Sequence, residues 1–208
     1  MIKFHNPLKR LLPLILATAF CVSLVAIRCY STGQATFLFL VWNLFLAWIP
    51  LLISSGLTTL RKGAIFWLVP WLLFLPNAPY ILTDLLHLRP RSFSPYWFDL
   101  LILTSSAVTG LMLGLASLMQ VDKLLRSHFP NWFSRLSVLA ICLLTGFGIY
   151  LGRFQRWNSW DLISRPFDLL RDSASLITQA EPLGFTLSFG LFIALAYAGF
   201  SNTKMSNT

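Results

Sequence analysis

The sequence predicts an all-α, polytopic integral membrane protein, a bundle of about six transmembrane helices in a single membrane domain. Of its 208 residues, 56% are hydrophobic and only 11% are charged. The apolar residues form continuous runs rather than alternating every second position, which excludes a transmembrane β-barrel. A helix needs roughly 20 apolar residues to cross about 30 Å of hydrocarbon. The runs extend over 11–27, 35–53, 64–86, 99–119, 137–152 and 183–200.

The first span has the charge pattern of a secretory signal peptide, with Lys3, Lys9 and Arg10 before its apolar core. A signal peptide ends at a small-x-small cleavage site, and no such site closes this run cleanly. Arg28 follows it in the position of a stop-transfer charge. We therefore interpret the run as a transmembrane helix.

The third span contains three prolines, and each proline removes a backbone hydrogen-bond donor from the helix. The pattern predicts a broken or strongly kinked helix, with segments 64–75 and 78–88 joined by a hinge at Pro76 and Asn77. Asn77 is expected to cap the N-terminus of the second segment, because asparagine is favoured at that position. Irregular backbone at membrane depth is tolerated only where protein or water supplies the missing donors.

The fourth and fifth spans carry small residues at four-residue spacing. Gly110 and Gly114 share one face of the fourth span, and Gly148 and Gly152 share one face of the fifth. Small residues at this spacing let two helices approach closely. They predict packing seams within the bundle. The alternative is that Gly110 and Gly114 bind a helix of another membrane protein.

The long loop before the last span predicts an amphipathic helix over about 163–178, lying on the membrane surface or capping the bundle. Trp157 and Trp160 beside it are typical of the aromatic belt at a membrane interface. The apolar residues that recur at helical spacing are Ile163, Phe167, Leu170, Ala174 and Ile177.

The net charge of +9 does not indicate nucleic-acid binding, because the basic residues lie at the ends of apolar runs. If the N-terminus is cytoplasmic, nine basic residues, including every lysine, lie on the cytoplasmic side and seven lie outside. Basic residues favour the cytoplasmic side. Both termini are therefore predicted to be cytoplasmic.

A polar stripe follows the break in the third span. At 100° per residue, Asn77, Tyr80, Asp84 and His87 fall within an arc of about 80°. The fifth span runs in the same direction and ends at the same face. It delivers Tyr150 and a second polar cluster there, whose candidate site residues are Arg153, Arg156, Asn158 and Asp161.

Three interpretations of these eight residues remain open. Asp84 pairs with Arg153 or Arg156 as a structural ion pair, with His87 reaching toward water. Alternatively, the two arginines bind a phosphate or carboxylate of an anionic small molecule or lipid head group. In the third, Asp84, His87 and Asp161 perform metal or acid–base catalysis. No complete motif assigns a cofactor or metal.

The run over residues 75–88, LPNAPYILTDLLHL, resembles the signature of a bacterial membrane-protein family known as domain of unknown function 1361. The run over 152–161, GRFQRWNSWD, is similar to the second motif of that family. The resemblance implies a bacterial, multi-pass plasma-membrane protein. It implies no activity.

The sequence thus favours a multi-pass membrane protein with an anion or lipid head-group site at the non-cytoplasmic face. The alternatives are a non-catalytic accessory or assembly protein that binds other membrane helices, and a membrane enzyme using Asp84, His87 and Asp161. A pocket lined by Asn77, Asp84, His87 and Arg153 would favour the small-molecule site. A closed bundle with an exposed Gly110 and Gly114 face would favour the accessory protein.

Overall fold

The computed structural model describes residues 7–57, 63–90 and 94–205. The described residues are 86% helical and form no β-strand. Four basic residues that contribute to the orientation prediction lie outside the described residues, namely Lys3, Arg61, Lys62 and Arg91. The helices are α1 (Pro7–Thr32), α2 (Leu38–Leu57), α3 (Ala64–Phe74), α4 (Asn77–Tyr80), α5 (Tyr96–His128), α6 (Asn131–Phe154), α7 (Asp161–Ser164), α8 (Pro166–Leu176) and α9 (Ala180–Met205), with a 3₁₀ segment at Ile81–His87.

Six of these elements are long and apolar enough to cross a membrane, which confirms the predicted fold class. Five of them are α1, α2, α5, α6 and α9, and the remaining one is the third span, Phe66–His87. Helix α5 has 33 residues, so it is about 50 Å long and exceeds the predicted run 99–119 at both ends. An apolar run marks only the part of a helix that lies within the hydrocarbon. Polar turns that continue the helix beyond the hydrocarbon are not part of the run.

The third span is interrupted as predicted, but the predicted strong kink is wrong. Helix α3 ends at Phe74 and α4 begins at Asn77, yet the axis bends by only 4°. Leu75 and Pro76 between them keep right-handed helical dihedral angles, so the chain continues in nearly the same direction. Pro76 occupies the N-cap position of α4, and the Asn77 side chain does not cap the helix as expected.

Helix α5 lies at the centre of the bundle, in contact with α1, α2, α4, the 3₁₀ segment, α6 and α9. One apolar core joins α1, α2, the second half of the third span and α5. A second core joins α3, α5, α6 and α9. The third span therefore contributes to both cores, and this packing holds its interrupted backbone straight.

The predicted glycine seams are present inside the bundle. A Cβ atom at Gly110 would lie 2.5 Å from the backbone oxygen of Ala78, and one at Gly148 would lie 2.5 Å from Cγ of Pro76. Glycine is required at both positions because the third span approaches so closely. Gly110 and Gly114 are buried against α4, so their seam is an intramolecular contact rather than a surface for another membrane protein.

The antiparallel connections bring the polar clusters to one end of the bundle. Helices α1 and α6 and the third span end there, and α2, α5 and α9 begin there. We call this end the Asp84 face.

Candidate functional site

A buried ion pair joins the two polar clusters at the Asp84 face. Nη2 of Arg153 donates to Oδ1 of Asp84, and Nδ2 of Asn43 donates to Oδ2 of the same carboxylate at 2.8 Å. Asp84 is 1% exposed, and a buried carboxylate is costly unless its oxygens are paired. The predicted contact between Asp84 and one of the two arginines is confirmed, and the partner is Arg153.

Arg153 is held from two further directions. Its Nε donates to Oγ1 of Thr83 at 2.7 Å, and its guanidinium lies 4.4 Å from the centre of the Tyr80 ring. Cations are attracted to the face of an aromatic ring within about 6 Å. Because Asp84 neutralises Arg153, this arginine fixes α6 to the third span rather than offering a free positive charge.

His87 lies at the solvent end of the polar stripe. Its side chain is 47% exposed, its Nδ1 lies 4.0 Å from Oδ1 of Asp84, and its ring centre lies 5.3 Å from that of Phe39. No group of three or more His, Cys, Asp or Glu side chains within the described ranges could hold a metal ion. The constellation of Asp84, His87 and Asp161 considered for metal catalysis is therefore not assembled, because Asp161 has different partners.

Asp161 organises the loop after α6. The backbone N–H of Asn158 donates to Oδ2 of Asp161 at 2.8 Å, and the hydroxyl of Ser164 donates to Oδ1 at 3.1 Å. The donation from the Asn158 backbone is the main cause of a lowered pKa of the Asp161 carboxyl, and the Ser164 hydroxyl and Arg165 lower it further. Asp161 thus acts as the structural centre of a compact turn.

Arg156 produces the reversal that starts this turn. Its φ angle is 60°, in the left-handed region that residues with a side chain rarely adopt. The next residue, Trp157, donates its backbone N–H to the carbonyl of Leu151 at 3.1 Å, which folds the loop back over the end of α6. Arg156 itself is exposed and has no hydrogen-bond or ion-pair partner in the described part of the chain.

The loop is attached to the break in the third span through Ser159. The Ser159 hydroxyl donates to the carbonyl of Leu73 at 2.9 Å and accepts from Nδ2 of Asn77 at 3.0 Å. The same Asn77 nitrogen donates to the carbonyl of Phe74 at 3.0 Å. This carbonyl has lost its helical donor, since the N–H of Ala78 bonds to the carbonyl of Leu75 instead. The two sequence motifs thus complete each other's hydrogen bonding.

A partly open cavity of about 320 Å³ lies beside this attachment. The third span forms its floor, α2 and α6 form its walls, and the loop with Leu169 of α8 covers its end at the Asp84 face. Its apolar lining includes Trp42, Leu46, Leu72, Leu73, Leu144 and Phe147. Its polar lining consists of Asn43, Asn77, Tyr80, Asn158 and Ser159.

The structure divides the eight predicted residues into three groups. Asn77, Tyr80 and Asn158 line the cavity. The second group does not line the cavity but contacts residues that do: Asp84 pairs with Arg153, which packs on Tyr80, and Asp161 accepts from the backbone N–H of Asn158. His87 and Arg156 belong to neither group and are exposed at the same face.

Sequence reasoning missed Asn43 and Ser159. Asn43 links the cavity to the ion pair, and it is the sole amide in the apolar run 35–53. A lone polar residue inside a membrane span is itself a signal of a buried partner. Ser159 gives no comparable signal, because serine is ordinary in a loop.

A second buried ion pair at this face was also missed. Nε of Arg28 donates to Oδ1 of Asp99 at 2.8 Å, and the Ser94 hydroxyl donates to the same oxygen at 2.8 Å. The Arg28 guanidinium lies 4.7 Å from the centre of the Phe37 ring. Arg28 directly follows the first apolar run, and Asp99 is the first residue of the fourth. Because successive spans run in opposite directions, these two opposite charges lie at the same face. The pair fastens α1 to α5 away from the cavity.

Comparison with known proteins gives one family. The family described as "Protein of unknown function (DUF1361)" matches residues 42–196, a range that contains the cavity, the Asp84–Arg153 pair and the attached loop. No curated protein and no solved structure matches the chain.

Proposed function

The chain belongs to the DUF1361 family of proteins of unknown function, and we propose that it binds an amphipathic molecule in the cavity between α2, the third span and α6. The polar head group of the ligand lies at the end formed by Asn77, Asn158 and Ser159. Its apolar part extends along the wall toward the membrane interior.

The polarity of the cavity along the bundle axis carries this proposal. Helix α6 runs toward the Asp84 face, so Leu144 lies about 10 Å deeper than Leu151. The third span runs the same way, which places Leu72 deeper than Asn77 and Tyr80. The lining therefore changes from apolar at depth to polar at the face. This is the polarity of a lipid or a similar amphipathic molecule.

The volume of the cavity limits the size of the ligand. Ligand pockets commonly measure about 300–1,000 Å³, so a cavity of about 320 Å³ lies at the small end of this range. It accommodates a head group and part of one apolar chain, while the remaining chain lies against the lipid-facing surface. A single-chain lipid is the simplest molecule that fits.

The charges around the loop favour an anionic head group. Arg156 is exposed and unpaired within the described residues, and it directly precedes Trp157, which lines the cavity. Arg153 is already neutralised by Asp84. We therefore assign the recognition of a phosphate or carboxylate to Arg156, assisted by the amide of Asn158.

The orientation is part of the same proposal. We propose that the Asp84 face is the non-cytoplasmic face of a bacterial plasma membrane, with both termini in the cytoplasm. Lys123 lies near the opposite end of α5, in agreement with the excess of lysine on the cytoplasmic side.

Binding of single-chain lipids to the purified protein tests the proposal. Lysophosphatidylglycerol carries an anionic head group and lysophosphatidylcholine a zwitterionic one, and native mass spectrometry counts each bound molecule. We expect the wild-type protein to retain the anionic probe more strongly. Arg156→Gln should remove that preference while the protein still binds both probes.

Two tryptophan substitutions separate the cavity from the general lipid-facing surface. Leu144→Trp fills the apolar wall of the cavity, and Leu195→Trp adds the same bulk to the exposed surface of α9. We expect Leu144→Trp to abolish retention of the probe and Leu195→Trp to preserve it. Equal retention by both variants would contradict binding in the cavity.

A further inference from the structure

Helices α7 and α8 present a row of large apolar side chains away from the bundle. Phe167 is 84% exposed and Ile163 is 87% exposed, and Leu170 and Ile177 are also largely exposed. We call these four residues the outer apolar face. Four large apolar side chains left exposed outside the membrane-spanning helices indicate an interaction surface.

Contacts on the opposite side determine which way α8 faces. Leu169 lines the end of the cavity, and Leu176 is buried. These two residues are seven apart, so they lie on one face of the helix. Because that face is directed into the protein, Phe167 points away from it, and Leu170 lies at the side of the helix, where it is 60% exposed.

The connection of α8 to the last span is short. Only three residues separate its end at Leu176 from the start of α9 at Ala180, and an extended chain of this length reaches at most roughly 14 Å. Helix α9 is itself long and apolar enough to cross the membrane. The C-terminal end of α8 therefore lies close to the start of a membrane-spanning helix.

The residues beside the outer apolar face are typical of a lipid interface. Trp160 is exposed, and Trp157 packs beneath Arg165, whose guanidinium lies 4.7 Å from the ring centre. Arg171 is exposed on the same helix. Tryptophan and arginine flanking an apolar helical face form the pattern of helices that lie in the head-group region of a membrane.

We propose that the outer apolar face inserts into the head-group region of the same membrane that the six spans cross. The partner is the lipid surface, entered to a depth of about 5–10 Å, with Arg165 and Arg171 at the level of the lipid phosphates. The membrane then holds α8 against the bundle, with Leu169 across the end of the cavity. Insertion of this face is independent of ligand binding in the cavity.

Spin labels at neighbouring positions test the insertion in reconstituted vesicles of phosphatidylethanolamine and phosphatidylglycerol. The full chain carries Cys29→Ser as background, since the other two cysteines are buried. Phe167→Cys places a label on the outer apolar face, and Asp168→Cys places one on the adjacent exposed position. Accessibility to oxygen reports lipid, and accessibility to a water-soluble nickel chelate reports water.

We expect the ratio of oxygen to nickel accessibility to be several-fold higher at position 167 than at position 168. The pair Leu170→Cys and Ser175→Cys should repeat this difference, because Ser175 is exposed on the same side of α8 as Asp168, and this rules out a local effect of one label. Equal ratios within both pairs would overturn the proposal, because the face would then lie in water. Low accessibility to both reagents at 167 and 170 would also overturn it, because a protein partner would then cover the face.

Discussion

Breaking the ion pair between Asp84 and Arg153 should destabilise the protein strongly. Asp84→Asn leaves the Arg153 guanidinium without its counter-charge while Thr83 and Tyr80 still hold it in place. Removing one partner of a buried pair costs about 3–5 kcal/mol. The Arg153 side chain is 13% exposed, so water restores part of the lost solvation and the lower end of that range applies.

The expected loss corresponds to a measurable change in melting temperature. For a chain of this length, 1 kcal/mol shifts the melting temperature by about 2–4 °C, so a loss of about 3 kcal/mol lowers it by roughly 6–12 °C. Thermal melts in detergent, followed by tryptophan fluorescence, measure the shift. Arg153→Gln should cause a similar loss, because it leaves the Asp84 carboxylate buried without its cation.

The double variant separates the pair from two independent defects. Asp84→Asn combined with Arg153→Gln removes both charges, and the loss should be smaller than the sum of the single losses by about 0.5–3 kcal/mol. Arg156→Gln is the matched control, since Arg156 is exposed and does not contact Asp84. Combined with Asp84→Asn it should show simple additivity. If the Asp84 and Arg153 losses also add, the ion pair does not couple α6 to the third span.

Three further predictions concern the packing and the loop. Gly110→Ala should lower the free energy of unfolding by about 1–3 kcal/mol, because the new Cβ atom would overlap a backbone oxygen of α4. Gly184→Ala is the control, since a Cβ atom there meets no atom within 4 Å, and it should be neutral or slightly stabilising. Thermal melts compare the two variants. Ser159→Ala should cost about 1 kcal/mol and speed proteolysis of the loop after α6, while Ser175→Ala, whose hydroxyl bonds only to its own exposed helix, should not. The Asp161 carboxylate should stabilise the loop after α6 fully above its ordinary pKa of 3.8, and this stabilisation should be lost as the pH falls through the lower pKa of the folded protein. Hydrogen exchange of the loop measures this pH dependence, and Asp161→Asn should remove it.

The architecture could be predicted because it follows from the length and hydrophobicity of the runs. Six continuous apolar runs predict six spans, and alternating direction then brings the ends of the third and fifth spans to one face. Asp84 and Arg153, which follows the fifth span, were expected to meet on this basis, and they do. The pair of Arg28 and Asp99 could have been predicted in the same way.

The straightness of the third span could not be predicted from its prolines. Proline removes a donor and so predicts where the hydrogen bonding is interrupted, but the bend angle depends on the neighbouring helices. Here Gly110 and Gly148 allow α5 and α6 to pack tightly against both sides of the interruption. The donors that replace the lost backbone bonds come from Asn77 and Ser159. The contact between these two residues spans 82 positions of sequence and depends on the tertiary fold.

Photo-crosslinking of a lipid to the protein locates the binding site directly. A lysophosphatidylglycerol with a photoreactive group in its acyl chain is irradiated with the protein, and mass spectrometry of peptides locates the label. We expect labels concentrated on the walls of the cavity, near Leu46 in α2 and between Leu144 and Leu151 in α6, and strongly reduced by Leu144→Trp. Labels spread evenly over the exposed faces of α1 and α9, and unchanged by Leu144→Trp, would contradict a binding site in the cavity.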